Sequence, residues 1–141
     1  MKRVLIATSN PGKLRDFSGA AAAFGIETAV IPNFSSLPSV VEDGATFEAN
    51  ARKKAEEYSR AVPGQVVIAD DSGLEVDALG GAPGVHSARY AADEPHNAEA
   101  NTDDEANNAK LIRNIRQVSV GKRTVARLRQ FWTGSLLWSE T

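Results

Sequence analysis

The sequence predicts an α/β fold. Short apolar runs rich in β-branched residues alternate along the chain with longer segments whose apolar residues recur every three or four positions. These patterns are typical of buried strands and amphipathic helices, and their alternation is typical of α/β proteins. Two polar segments directly follow two of the strands, at the position where open α/β sheets bind ligands. The fold class therefore already indicates where a site would lie.

The first strand and helix are predicted from the N-terminal segment. Residues 3–7 form a short run that is apolar after Arg3 and is followed by polar residues, as expected of a buried strand. Asn10 can cap the following helix, with Pro11 in its first turn. Apolar residues then recur at helical spacing until Gly25 stops the helix: Leu14, Phe17, Ala21 and Phe24. Residues 27–31 are predicted to form the second strand.

Two further helices and one strand complete the predicted order. The second helix opens at Thr46 and ends at Pro63-Gly64. Its apolar stripe consists of Phe47, Ala51, Ala55, Tyr58 and Val62. Residues 65–69 are predicted to form the third strand, and residues 101–117 the third helix. The apolar face of that last helix consists of Leu111, Ile112 and Ile115.

Composition predicts a single soluble domain and excludes several classes of partner. The 141 residues are 42% hydrophobic and 24% charged, with a net charge of -2. There is no basic excess to hold nucleic acid, and no apolar stretch approaches the about 20 residues that a membrane span needs. The absence of cysteine excludes a disulfide framework, and a strand begins at once without a signal-peptide core. We therefore expect a cytoplasmic protein without nucleic-acid or membrane partners.

The first polar turn, residues 8–13, carries groups that suit a phosphate. It consists of Thr8, Ser9, Asn10, Pro11, Gly12 and Lys13. A helix N-terminus offers N–H groups and a partial positive charge, and Lys13 adds a full charge. The spacing differs from a Walker P-loop, and Asn before Pro-Gly is also common at the start of a helix. Taken alone, this turn is compatible with phosphate binding and with simple capping.

The second polar segment offers ligands for a metal ion. Asp70 and Asp71, followed by Ser72 and Gly73, come directly after the third strand and are predicted to turn towards one ion. Mg²⁺ prefers hard oxygen ligands and is usually held by one or two carboxylates plus substrate phosphates. Glu42, just before the second helix, is a natural further ligand. Asp71 is the favoured general base, although two solvated turn acids would have the same sequence.

A glycine-rich loop separates the third strand from the third helix. Residues 80–84 contain three glycines and a proline, and Arg89 follows shortly after. Such a loop can close over an anionic ligand, but it can equally be a tight turn in which Arg89 pairs with a carboxylate. His86 and His96 lie in loops without metal-ligand pairing, and we expect both at the surface, outside the site.

Taken together, these segments closely resemble the Ham1-like inosine/xanthosine triphosphate pyrophosphatases. The matching blocks occur in the family's order and spacing: residues 8–13, 42–51, 69–74, 80–84 and 87–90. The resemblance implies a mixed central sheet flanked by helices, and usually a homodimer. It also implies magnesium-dependent hydrolysis of a deaminated purine nucleoside triphosphate, such as ITP, dITP or XTP. The expected products are the nucleoside monophosphate and pyrophosphate.

The same resemblance assigns roles to individual residues. The first polar turn corresponds to the family's triphosphate-binding turn, and Lys54 to a further phosphate contact. Glu42 and Asp71 correspond to metal ligands. Asp71 also corresponds to the base that activates water, and Ser72 to a substrate contact.

The resemblance ends at about residue 123. The expected division is an incomplete pyrophosphatase core over residues 1–123 and a divergent tail over residues 124–141. Family members continue with further strands, a turn ending in Phe-Gly-Tyr-Asp-Pro and a late Ser-His-Arg that contacts the base. Residues 118–141 carry instead four basic residues against one acidic residue. A truncated or frame-shifted end would leave an unpaired sheet edge, whereas a natural tail would complete the fold differently.

Two other functions stay open at the level of sequence. A nucleotide-binding remnant would keep the first polar turn and lack the elements that recognise the base. An aspartic protease would use Asp71-Ser72-Gly73 as its signature, but such proteases are all-β and would leave Lys13 without a role. Magnesium-dependent release of pyrophosphate identifies the hydrolase, and peptide cleavage with an acid optimum identifies the protease.

Overall fold

A computed structural model of the chain describes residues 3–93, 104–122 and 126–136. The helices and strands are β1 Arg3–Ile6, α1 Pro11–Ala22, β2 Glu27–Val30, α2 Phe47–Ser59, β3 Val66–Val76, α3 Asp104–Gln117 and β4 Ala126–Leu136. Strands and helices alternate as the sequence predicts, so the α/β fold is confirmed. The contacts divide the described chain into two compact units, one running up to Asp71 and resuming at Phe131, the other running from Ser72 to Gln130.

The sheet has the strand order β2-β1-β3-β4. The central strand β1 pairs in parallel with both β2 and β3, with Val4 opposite Val66 and Ile6 opposite Ile68. The last bond of this ladder runs from the Ala7 N–H to the Ile68 carbonyl at 2.9 Å. Because β1 ends here while β3 continues, the next residues of β3 lie beside the first polar turn.

The core of the first unit lies between the sheet and α2. Its buried cluster consists of Leu5, Ala7, Ile31, Ala55, Val67 and Ala69. Since side chains alternate along a strand, the odd-numbered positions of β1 and β3 face α2. The intervening Ile6 is buried as well, and so is Phe17 of α1. Burying such side chains stabilises the fold by about 1.5–3 kcal/mol each.

Helix α1 begins as predicted and ends earlier. Asn10 is the N-cap and Pro11 the first helical residue. The helix stops at Ala22, and the Phe24 side chain is 81% exposed, so its predicted place on the apolar face is wrong. Gly25 has a φ of 65°, a left-handed conformation that turns the chain and places Phe24 beyond the helix.

Helix α2 confirms its predicted start and stripe. Thr46 is the N-cap, and its hydroxyl accepts a hydrogen bond from the Ala49 N–H at 3.1 Å. Three members of the predicted stripe are buried, and the other two, Tyr58 and Val62, pack against the core cluster. The helix ends at Ser59, ahead of the predicted Pro63-Gly64 boundary.

Strand β3 is longer than predicted, and this changes the placement of Asp70 and Asp71. The strand continues for seven residues past Ala69, so the predicted turn at Asp70 and Asp71 is wrong. Aspartate is disfavoured in strands, which is why the sequence indicates a turn. In the structure both carboxylates are buried and bound by side chains of the helices, and these contacts override the local preference.

The second unit contains the glycine-rich loop and α3. The loop forms two short 3₁₀ helices, Asp77–Leu79 and Gly84–Arg89. The Ser87 hydroxyl holds it on β3, accepting from the Leu74 N–H at 2.9 Å and donating to the Gly84 carbonyl at 2.6 Å. His86 is exposed, as expected, and His96 lies outside the described residues.

Helix α3 confirms only part of its prediction. Residues 101–103 of the predicted helix lie outside the described ranges. Leu111 and Ile115 are half-buried, but Ile112 is 49% exposed and does not belong to a buried face. The buried residue of this helix is Asn107, whose side-chain oxygen accepts from the Ala91 N–H at 2.9 Å.

Strand β4 falls within the predicted divergent tail. It lies next to β3 in the sheet, so this part of the tail covers the edge of β3. The division of the chain at residue 123 stays a prediction. Over the residues that the structure describes, no helix has both the length and the apolar character needed to cross a membrane.

Candidate active site

The first polar turn forms a closed set of hydrogen bonds. The Asn10 side-chain oxygen accepts from the Gly12 N–H at 2.8 Å and from the Lys13 N–H at 3.2 Å. The Thr8 hydroxyl accepts from the Asn10 N–H at 3.1 Å, and Ser9 is exposed. Capping is therefore what the structure shows. A phosphate at this turn would meet hydroxyl groups, the partial charge of α1 and the Lys13 ammonium.

The Lys13 ammonium is held by a buried carboxylate. Its Nζ lies 2.6 Å from Oδ2 of Asp70, whose side chain is 2% exposed. Lys13 itself keeps 27% of its side chain exposed, so solvent still reaches it. The register of β1 and β3 produces this contact, because it places Asp70 just beyond the end of β1. The result is a positively charged group fixed beside the first polar turn.

A second cluster lies on the opposite face of β3. The Lys54 ammonium of α2 is 2.5 Å from Oε1 of Glu42 and 3.9 Å from Oδ1 of Asp71. Three residues predicted for the site from separate segments are thereby brought together. Neighbouring residues of an extended strand point to opposite faces, which explains why Asp70 binds Lys13 of α1 and Asp71 faces α2.

Asn50 is a site residue that the sequence analysis missed. Its side-chain amide donates to Oδ2 of Asp71 at 3.0 Å, and its side-chain oxygen accepts from the Gly44 N–H at 2.7 Å. Asn50 is fully buried. The signal in the sequence is its position three residues after Phe47 and next to Ala51, because a polar residue on the buried face of a helix needs partners.

Two neighbouring residues lie at the margin of this cluster. Asp43 follows Glu42 in the chain but pairs with Lys53, at 2.8 Å between Oδ1 and Nζ. That hydrogen bond, together with the charge of Lys53, holds the pKa of Asp43 below its ordinary value. Ser72 follows Asp71 in β3 and is half-buried.

Glu42 and Asp71 carry the hard oxygen ligands that Mg²⁺ prefers. Both carboxylates lie near the Lys54 ammonium, so the two together can bind a positively charged group. Across the described ranges no group of three or more His, Asp or Glu side chains is arranged to hold a metal. Two carboxylates without a complete protein cage are what Mg²⁺ uses when substrate phosphates supply the remaining ligands.

Comparison with known proteins identifies the family. The family model of the Ham1 family, which describes its sequence pattern, matches residues 4–133 of this chain. The chain is 48% identical over 124 residues to a dITP/XTP pyrophosphatase of Geobacillus kaustophilus and 47% identical over 124 residues to one of Listeria monocytogenes. These matches cover 88% of this chain but 57% of either relative, so the chain spans well under two thirds of their length.

A solved structure agrees with this result. The Ham1 protein of Staphylococcus aureus superposes with a TM-score of 0.68 at 33% sequence identity, covering 94% of this chain and 70% of that protein. Sequence and fold therefore agree, and the chain belongs to the Ham1 family.

Proposed function

We propose that the chain hydrolyses deaminated purine nucleoside triphosphates such as dITP, XTP and ITP to the monophosphate and pyrophosphate, with Mg²⁺ as cofactor. The observation that carries the proposal is the convergence of Glu42 and Asp71 on Lys54. Relatives named as dITP/XTP pyrophosphatases support the substrate class.

Two ammonium groups would bind the triphosphate. Lys13 lies beside the first polar turn, and Lys54 lies between two carboxylates on the other face of β3. Both are partly shielded from solvent, which strengthens their attraction for phosphate oxygens relative to free lysine side chains. Thr8 and Ser9 add hydroxyl groups at the turn. We propose Ser72 as a further substrate contact on the strength of the family resemblance.

Glu42 and Asp71 would hold the magnesium ion. When bound, the ion polarises phosphoryl oxygens and makes water more acidic. Asp71 would accept the proton of the attacking water, with its carboxylate oriented by the hydrogen bond from Asn50 to Oδ2. The Lys13 and Lys54 ammonium groups would stabilise the charge that develops as the bridge between the α and β phosphorus atoms breaks.

The family resemblance also supports a homodimer, which the mass of the protein in solution would test. A mass of one chain at the concentration used for the assay would contradict this part of the proposal. Neither outcome changes the assignment of the residues within the first unit.

Release of pyrophosphate tests the proposed function. The purified chain is incubated with dITP, XTP or GTP, in Mg²⁺ and in EDTA, and the pyrophosphate is measured. We expect release with dITP and XTP, less with GTP and none in EDTA. Folded protein that binds dITP without releasing pyrophosphate would identify a nucleotide-binding protein instead. Release that is unaffected by EDTA would contradict the magnesium site.

A further inference from the structure

We propose that Asn50 is a positioning residue, which fixes the orientation of the Asp71 carboxylate and holds the segment carrying Glu42 against α2. The inference rests on the proposed function, since it concerns the same site. Asn50 acts through the Asp71 side chain and through the backbone of Gly44.

The hydrogen bonds leave one orientation for the Asn50 amide. Its oxygen faces the Gly44 N–H, which is a donor, and its nitrogen faces the Asp71 carboxylate, which is an acceptor. A rotated amide would set nitrogen against N–H and oxygen against carboxylate, losing both bonds. Asn50 is 0% exposed, so water cannot replace them. The side chain is therefore fixed between Gly44 and Asp71, which are 27 residues apart in the sequence.

Gly44 provides independent evidence that the backbone at this position packs tightly against Asn50. A Cβ atom at position 44 would lie 2.6 Å from Oδ1 of Asn50 and 2.9 Å from Cβ of Ala49. Both distances are too short for any side chain, so the approach of this segment to α2 requires glycine. Glu42 is two residues away, and its distance to Lys54 therefore depends on how Gly44 is held.

The consequence for Asp71 follows from its side-chain torsion. The terminal torsion of aspartate has a broad, roughly two-fold preference, so covalent geometry hardly restrains the carboxylate. Asn50 binds Oδ2 at 3.0 Å, while Oδ1 is the oxygen that faces Lys54. This hydrogen bond thus favours the orientation in which Oδ1 is turned towards Lys54 and the proposed metal and water. Removing it takes away one restraint on the orientation of the carboxylate and removes no group that is proposed to bind substrate.

Two substitutions separate this role from a purely structural one. Asn50→Asp keeps an oxygen for the Gly44 N–H but sets an oxygen against Asp71. Asn50→Ala removes both the acceptor for Gly44 and the donor for Asp71. We expect kcat for dITP to fall by about 10- to 100-fold in both, with KM changed by less than about threefold. The matched control is Asn108→Asp, the same change at an exposed position of α3, which we expect to leave kcat unchanged.

Hydrogen exchange of the metal-free protein gives the second readout. The Gly44 amide should stay protected in Asn50→Asp and lose protection in Asn50→Ala. Folded Asn50→Asp with a protected Gly44 amide and kcat within twofold of the wild type would overturn the inference. If Asn50→Asp does not fold, Gly44→Ala tests the same contact from the other side, and unchanged kcat there would likewise overturn it.

Failure of the proposed function is distinguishable from failure of this inference. If the wild-type protein releases no pyrophosphate, the proposed function is wrong. The side-chain N–H protons of Asn50 then decide the inference, because they should exchange slowly in the wild type and quickly in Asp71→Ala. Equal exchange rates in the two proteins would overturn it.

Discussion

At the scale of single residues, the site depends on charged side chains that are buried in pairs. Asp70 binds Lys13 on one face of β3, and Asp71 lies near Lys54 on the other. A buried charge is costly unless it is paired and hydrogen-bonded, so each partner both stabilises the fold and stays in place for a ligand. If the proposed function holds, substrate binding and stability are coupled at Lys13. Catalysis and stability are separable at Asp71, because asparagine has the same size as aspartate and can replace it.

Asp71→Asn is expected to abolish hydrolysis while the protein stays folded. The amide has the size of the carboxylate but cannot accept the proton of water, and we expect a loss of about 100-fold or more in kcat. Pyrophosphate release from dITP and thermal unfolding would be measured together. Asp16→Asn, an exposed acid on α1, is the control. Turnover at the wild-type rate in folded Asp71→Asn would defeat the assignment of Asp71 as base.

Lys13→Ala is expected to lower both stability and substrate affinity. It leaves the carboxylate of Asp70 buried without its ammonium partner, which costs about 1–3 kcal/mol in the free energy of unfolding. Denaturant unfolding measures that loss, and KM for dITP measures the lost phosphate contact. The double variant Lys13→Met with Asp70→Leu should recover stability and leave KM raised. Recovery of both would show that Lys13 does not bind substrate.

At the scale of secondary structure elements, the two helix caps differ in whether they belong to the proposed phosphate site. Asn10 caps α1 inside the first polar turn, and Thr46 caps α2 outside it. Replacing either by alanine is expected to lower the free energy of unfolding by about 1 kcal/mol. Only Asn10→Ala should also raise KM for dITP, since it alters the proposed phosphate site. Equal KM values for dITP in the two variants would show that Asn10 only caps the helix and does not contribute to the phosphate site.

The elements also show what local sequence determines. The starts of α1 and α2 were predictable because a cap acts within three residues. Strand β1 was predictable because the burial of Leu5 and Ile6 requires apolar residues there. The extension of β3 was not, since Asp70 and Asp71 are kept in a strand by Lys13 and Asn50, which are distant in sequence. Phe24 and Ile112 were misplaced because helical spacing does not specify where a helix ends or what covers it.

Site residues show the same limit. The resemblance named Glu42, Lys54 and Asp71 separately, and the structure brings them into contact. The resemblance assigned no role to Asn50. Its role follows from its hydrogen bonds to Gly44 and Asp71, which only the folded chain brings next to it. A buried polar residue on a helix is recognisable in a sequence only as a residue that needs partners, and its partners are set by the packing.

At the scale of the whole molecule, β4 protects the sheet. It lies next to β3, whose outer edge would otherwise offer unpaired backbone groups to other chains. Ending the chain before Ala126 is therefore expected to lower the unfolding temperature and to promote self-association. Size-exclusion chromatography and thermal unfolding of the shortened chain and of the 141-residue chain would measure this. Identical elution and unfolding of the two would show that β4 does not contribute to the fold.

We propose that Glu42, Lys54 and Asp71 form the reaction site of a pyrophosphatase. The most direct test is pyrophosphate release from dITP by the purified, folded chain, titrated with Mg²⁺ and with Asp71→Asn alongside. We expect release that rises from zero with Mg²⁺ and is lost in Asp71→Asn. Saturable binding of dITP without any release, or release that Asp71→Asn retains, would contradict it.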